Sequence, residues 1–423
     1  MKKLFISLFF VLTFFCMSHA SVTLTWQQVV DYAKENNPDI IRARLAVANA
    51  ENAHKRAYSG FLPNVSLRGS MGQGERELES GNTRFTRDYT YGVYGSWELF
   101  SGFADYAAAR AARRDLLAAR AAYDRAISDV AYNVSAAFVN LVWAHENVAL
   151  AGAILTRRRE NYDMVNLKYH SGAVDLGSLK RVEADTELSV FELAKARRYV
   201  QTASAALFNA MGGHSPQIIN TDVKLTVVDK LLQMPEFLSF VRDIPEYKIS
   251  MYSLESAEFA FTRSRSSWYP RITATGDIRR FDQQWAPDRQ AWNAALGISL
   301  PLFTGGARLF DTKTAKNNVQ IASQNFQRTM YSLISKAVDF YNSVVDAYGN
   351  LIVREKYLAA ASLQAEISAK KYINGLTSYQ DWYSIENDYI NSQRALLNAR
   401  RDAILAKAQW DNFQGLGFSE PEN

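Results

Sequence analysis

Catalysis and metal binding rest on a few side-chain types held at definite spacings, and this 423-residue chain holds them at none. Its histidines (His19, His54, His145, His170 and His214) stand far apart, with no HExxH or HxH spacing to set two imidazoles on one face. Cys16 is the sole cysteine, so the sequence beyond it offers no thiolate nucleophile, disulfide or thiolate metal site. No GxSxG elbow, GxxxxGK(S/T) loop or GxGxxG turn occurs. This is the pattern of a protein that is not an enzyme and takes no cofactor or metal. The formal charge of +5, from 48 basic and 43 acidic residues, is small and evenly mixed, which argues against nucleic acid as a partner.

The elements around these residues say more. With 48% hydrophobic and 22% charged residues, the chain has apolar surface enough for a core. Lys2 and Lys3 precede an apolar run over 4–15, and Ser18 and Ala20 set small residues at −3 and −1 of a cleavage site. That order predicts a secretory leader over 1–20 and a mature chain from Ser21; an uncleaved anchor is the other reading. The bulky Phe14 and Phe15 before Cys16 argue against a lipid anchor. No run of eighteen apolar residues follows, so no transmembrane helix is expected. An exported chain of this kind is either soluble or an outer-membrane β-barrel.

The chain is written twice. Asn37-Pro38, Phe61-Leu62-Pro63 and Gly69 recur 207 residues later as Ile244-Pro245, Trp268-Tyr269-Pro270 and Gly276. Leu99-Phe100-Ser101-Gly102 and Lys168-Tyr169-His170-Ser171-Gly172 recur 203 residues later as Leu302-Phe303-Thr304-Gly305 and Lys371-Tyr372-Ile373-Asn374-Gly375. One four-residue length difference between the two strands reconciles the offsets. Each half predicts a helix (39–60, 246–267), two strands, a proline-free helix ending at Gly172 or Gly375, and a returning helix (about 175–211, 378–414). Seventy residues separate Gly102 from Gly172 and Gly305 from Gly375, which as helix would span roughly 105 Å. Such lengths belong to coiled coils or helical arrays. Fourteen alanines between Phe103 and Phe138 favour close helix packing. The expected divisions are a leader at 1–20, repeats at 21–212 and 237–417, a linker at 213–236 and a tail at 418–423.

The strands alternate at period two. Over 292–303 one face reads Trp292, Ala294, Leu296, Ile298, Leu300, Leu302, and the other Asn293, Ala295, Gly297, Ser299. Over 88–100, Tyr89, Tyr91, Val93, Trp97 and Leu99 oppose Thr90, Gly92, Ser96 and Glu98. Val65, Leu67 and Met71, and likewise Ile272, Ala274 and Ile278, oppose small or polar neighbours. This suits a lipid-facing barrel wall; a soluble antiparallel sheet with one buried face alternates in the same way. Four strands cannot close around an interior, and lipid tolerates no open edge, so a barrel would have to pool strands from several chains.

With these anchors the sequence resembles the TolC-like outer-membrane efflux protein family. The resemblance rests on Leu24-Thr25-Trp26, Asn36-Asn37-Pro38, Leu62-Pro63, Leu-Phe-Ser/Thr-Gly after each hairpin and the Tyr-x-x-Gly turns, and it runs from Leu24 to about Gly417. It implies an α+β membrane protein, a homotrimer sharing a twelve-stranded β-barrel continued by a coiled-coil α-helical tunnel in the periplasm. It also implies an exit duct in the outer-membrane lipid, fed by an inner-membrane pump (RND, ABC or MFS) through a periplasmic adaptor. A periplasmic coiled-coil adaptor or a structural protein without a barrel is the alternative, although an adaptor would carry one hairpin rather than two.

The resemblance also assigns residues. The glycine turns match the tunnel tip, which makes Tyr169, Gly172, Ala173, Val174, Tyr372, Gly375 and Leu376 candidates for adaptor docking. Asp381 matches a constriction carboxylate, three copies of which would attract cations. Ser384 stands at the second carboxylate position, and Tyr372 and Arg400 match members of the closing network. Thr377 and Ser178 replace an arginine and an acid of that network, with Asp175 nearby as a substitute. A solvated helix-start acid is the other reading of Asp381.

Overall fold

The computed structural model of the protein describes residues 22–77, 83–213, 218–220, 223–225 and 235–418. The expected leader, most of the 213–236 linker and nearly all of the tail lie outside these residues.

Local signals start each element. Strand β1 (Val22–Thr23) leads into α1 (Trp26–Asn36), where Thr25 and Gln28 form a reciprocal capping box. The Asn37 side chain accepts from the Asp39 and Ile40 amides, and Pro38 opens α2 (Pro38–Ala57). Then come β2 (Asn64–Glu77), β3 (Thr83–Phe100), α3 (Ala104–His170) and α4 (Leu176–Met211). The short β4 (Ile219–Asn220) pairs parallel with β1. The second half repeats the order: α5 (Phe237–Val241), α6 (Pro245–Ser264), β5 (Arg271–Asp282), β6 (Arg289–Ser299), α7 (Ala307–Ile373) and α8 (Tyr379–Gln414). The long helices number 67 residues in both halves and the returning helices 36. At 1.5 Å per residue α3 and α7 each reach about 100 Å.

Strands β2, β3, β5 and β6 form one antiparallel sheet in that order. Val93 sits opposite Leu67 on one side and Ile278 on the other, and Ile278 opposite Trp292, so one face is apolar across all four strands. That face is bare: Leu67 is 79% exposed, Ile278 60%, Trp292 75% and Leu296 66%. A soluble one-sided sheet would bury it; a barrel wall turns it to lipid. Both outer strands, β2 and β6, are free edges among the described residues.

Three strand limits differ from the sequence expectation, one of them the start of β6 at Arg289 rather than Trp292. Strand β6 stops at Ser299 rather than running on to 303, because Pro301 has no amide to donate to a ladder. Strand β3 begins at Thr83, five residues before 88, because its pairing with β2 continues to Glu77 opposite Thr83.

The main core surrounds α3, where Trp26, Val134, Phe138, Leu141, Leu207, Met211 and Ile219 pack together. By length and composition alone α3 contains a stretch apolar enough to cross a membrane, and 44% of that stretch is buried inside the chain. Its hydrophobicity comes from contact with α1, α2, α4, α6 and α8, which press on α3 from several sides.

Candidate functional site

The end of the helices remote from the sheet carries the two glycine turns. Each closes its long helix in the same way. Gly172 (φ 76°) donates to Tyr169 O at 2.9 Å and Ala173 donates to Lys168 O at 2.9 Å. Gly375 (φ 74°) donates to Tyr372 O at 3.2 Å and Leu376 to Lys371 O at 2.8 Å. This pair of bonds needs a left-handed residue at its centre, which glycine supplies without strain.

The returning helices are capped by one pair with its members exchanged. Asp175 caps α4, accepting from the Ser178 amide at 2.9 Å and the Ser178 hydroxyl at 2.8 Å. Ser378 caps α8, where its hydroxyl accepts from the Asp381 amide at 3.1 Å and donates to Asp381 Oδ2 at 2.7 Å. The Ser178 amide, then its hydroxyl, hold the Asp175 carboxyl below its ordinary range. Asp381 therefore has a definite local duty at the helix start, and it is exposed.

Beneath the turns lies an aromatic cluster. Tyr372 stacks on Trp382 with centroids 4.6 Å apart and planes 8° apart, and Tyr379 stacks on Tyr383 at 5.6 Å. Val165, Leu179 and Val182 complete it. Lys168 Nζ lies 4.8 Å above the Tyr372 ring. Burial raises the Tyr372 and Tyr379 hydroxyls above the usual phenol range. The Tyr372 hydroxyl and Trp382 Nε1 are buried without a hydrogen-bond partner among the described residues.

A polar seam next to this cluster joins α8 to α3 and α4. Glu386, 1% exposed, receives Arg157 in bidentate fashion, Nε at 2.7 Å and Nη2 at 2.6 Å, and Asn161 at 3.4 Å. The Glu386 hydrogen bond raises the Arg157 guanidinium above its normal value. Arg158 donates to Asn387 at 2.5 Å. Tyr383 donates to Asp185 at 2.6 Å and accepts from Arg181 at 2.9 Å. Arg394 pairs with Glu192, and Tyr379 donates to Ser178 O at 3.3 Å. Every one of these contacts crosses between the two halves of the chain.

The structure gathers Tyr169, Gly172, Ala173, Val174 and Asp175 at one turn and Tyr372, Gly375, Leu376, Asp381 and Ser384 at the other. Leu376 is 74% exposed, whereas Tyr372 is only 4% exposed and lies under its turn rather than on it. Arg400 does not join them: nineteen residues beyond Asp381 on α8, it is about 28 Å away along the helix. It lines a cavity of about 610 Å³ with Glu146, Lys224 and Glu355. Arg157, Arg158, Asp185, Tyr383 and Glu386 were not singled out from sequence. One signal was there: Glu386 stands four residues from both Trp382 and Ile390, a carboxylate inside a buried apolar stripe.

Comparison with known proteins agrees with this architecture. The sequence model of the outer membrane efflux protein family matches residues 29–213 and 251–413. The cation efflux system protein CusC of Escherichia coli (strain K12) is 21% identical over 382 residues, 88% of this chain and 82% of that one. The outer membrane efflux protein BepC of Brucella suis biovar 1 is 22% identical over 410 residues, covering 93% and 86%. Among solved structures, CusC superposes with a TM-score of 0.84 at 18% identity, covering 94% of this chain and 93% of that one. VceC of Vibrio cholerae gives 0.81 at 19% identity, covering 93% and 97%.

Proposed function

The chain belongs to the outer membrane efflux protein family, and from that membership we propose that three copies build one exit duct, fed by an inner-membrane pump through a periplasmic adaptor. It is an outer-membrane channel with its helical tunnel in the periplasm. The observation that carries the trimer is the four-stranded sheet, bare on its apolar face and open at β2 and β6. Unpaired backbone groups are not tolerated in lipid, and three such sheets make a twelve-stranded closed wall. Helices of about 100 Å continue from its periplasmic end.

At the tip, the exposed Leu376, Ile373 and Leu167 (74%, 61% and 73%) offer apolar surface beside Gly172, Ala173, Val174 and Gly375, which supports adaptor docking there. Tyr169 and Tyr372 support those turns from below. Closure is assigned to the contacts that hold α8 against α3 and α4, with Arg157–Glu386 at their centre and Asp381 at the exposed start of α8. Opening then consists of α7 and α8 moving away from that seam. Ser384 is exposed beside Asp381 and adds no charge. The duct is common to relatives named for cation efflux and for toxin and drug export; the cargo is not.

Light-scattering mass in mild detergent tests this directly. Protein extracted from isolated outer membranes should weigh about three times the mature chain after the detergent is subtracted. A monomer in the soluble periplasmic fraction would overturn the shared barrel.

A further inference from the structure

The duplication does more than relate two halves; it specifies how the halves meet. Within one chain α3 of the first repeat packs against α8 of the second, Asp185 and Arg181 of α4 reach Tyr383 of α8, and β3 pairs with β5. In a ring of three chains, the second repeat of each subunit must meet the first repeat of the next. We propose that this intersubunit seam is the repeat image of the seam inside the chain, and that it brings Asp388 to the partner subunit's Lys180. The proposal rests on the trimeric reading above.

The image follows from the offset of 203. Asp185 on α4 touches Tyr383 on α8 within the chain. The repeat counterparts are Asp388 on α8 and Lys180 on α4, an acid and a base. Both are exposed, and the half-buried Glu183 is the sole ion-pair partner of Lys180 among the described residues, at 2.7 Å. An ammonium with three donors can serve both acids. The buried clamp behaves differently. The counterparts of Arg157 and Glu386 are Ala360 and Glu183, which form no ion pair. The chain's own seam therefore carries the clamp, and the seam between subunits carries a solvent-edge pair.

Exposure supports the same image. Val142 and Ile154 on α3 are 2% and 3% exposed, while their counterparts on α7, Val345 and Tyr357, are 42% and 62% exposed. A second copy covers them in the ring. The sheet agrees: the Val93–Ile278 pair of β3 and β5 maps onto Leu296 of β6 and the partner subunit's Met71 on β2, both on the apolar face. The free edges thus acquire a definite register.

The test uses paired cysteines, since Cys16 is the chain's only native cysteine. Lys180→Cys with Asp388→Cys, oxidised in membranes, should give covalent dimers and trimers on denaturing gels. Asp185→Cys with Tyr383→Cys, a pair within one chain, should stay at monomer mass. Lys180→Asp alone should lower the temperature at which trimers dissociate, and adding Asp388→Lys should restore it. A trimeric mass in mild detergent without the covalent ladder, or with no rescue by the charge swap, overturns the seam and leaves the channel intact. Loss of the trimeric mass in the unmodified protein overturns the trimer itself.

Discussion

Arg157→Met is the perturbation that bears most directly on closure. It deletes both strong hydrogen bonds to Glu386 and leaves that carboxylate, 1% exposed, with Asn161 at 3.4 Å alone. Stripping one partner from a buried ion pair costs about 3–5 kcal/mol. The Arg157 side chain is itself 33% exposed, so water already screens part of the interaction, and about 2 kcal/mol is the better figure. At 1.4 kcal/mol per tenfold, each subunit's closed form loses about 30-fold against the form in which α8 has left α3. Single-channel conductance in planar bilayers reads this as longer and larger openings. Glu386→Gln should do less, because a neutral acceptor of the same shape stays against Arg157. Conductance within twofold of the unmodified channel, from a preparation whose trimers are intact on gels, would refute the assignment of closure to this pair.

Three further outcomes are expected. Asp381→Asn keeps an acceptor for the Ser378 hydroxyl but removes the charge, so cation preference should fall, as read by the reversal potential in a salt gradient, with thermal stability unchanged; an unchanged reversal potential eliminates the carboxylate ring. Gly375→Ala has open space for its methyl group, yet φ is 74°, so the cost is about 1–2 kcal/mol from the left-handed backbone alone; calorimetry should show Gly375→Asn, better suited to that conformation, as the milder change. The Asp175 carboxyl is held low by Ser178, so its cap contribution is complete above the ordinary carboxylate pKa and disappears as pH falls through the lowered value. Hydrogen exchange at the start of α4 should therefore quicken in that acid window, and Asp175→Asn should abolish the pH dependence.

Much of the architecture was legible because the chain repeats itself. The returning helices expected at about 175–211 and 378–414 are Leu176–Met211 and Tyr379–Gln414, since a glycine after each long helix and a side-chain cap three residues later leave little freedom. Strand ends were less legible. The start of β3 at Thr83 depends on how far β2 pairs with it, which no local pattern states. The closing seam was hidden for a related reason: Arg157 and Glu386 are 229 positions apart, and although Glu386 stands in the apolar stripe of α8, nothing on that helix names its partner. Arg400, taken over from the resemblance, lies too far along α8 to act at the tip by contact.

The two ends of the molecule differ in what opening them would require. In the sheet, β3 and β5 are joined by a continuous ladder from Tyr89 opposite Asp282 to Phe100 opposite Ile272, with only one irregularity. Parting such strands in lipid would strand a row of backbone donors and acceptors, each costing several kcal/mol. At the tip, every helix satisfies its own backbone, and what joins α8 to α3 and α4 is side-chain contact: Trp382 and its cluster against Val165, Leu179 and Val182, and the polar groups around Glu386, Asp185 and Tyr383. Breaking the polar contacts exposes groups that periplasmic water can solvate, and parting the cluster leaves no backbone donor or acceptor unpaired. A gate of modest energy can therefore sit only at the helical end. Within that end, the Arg157–Glu386 clamp is the strongest contact that α8 has to give up in leaving α3.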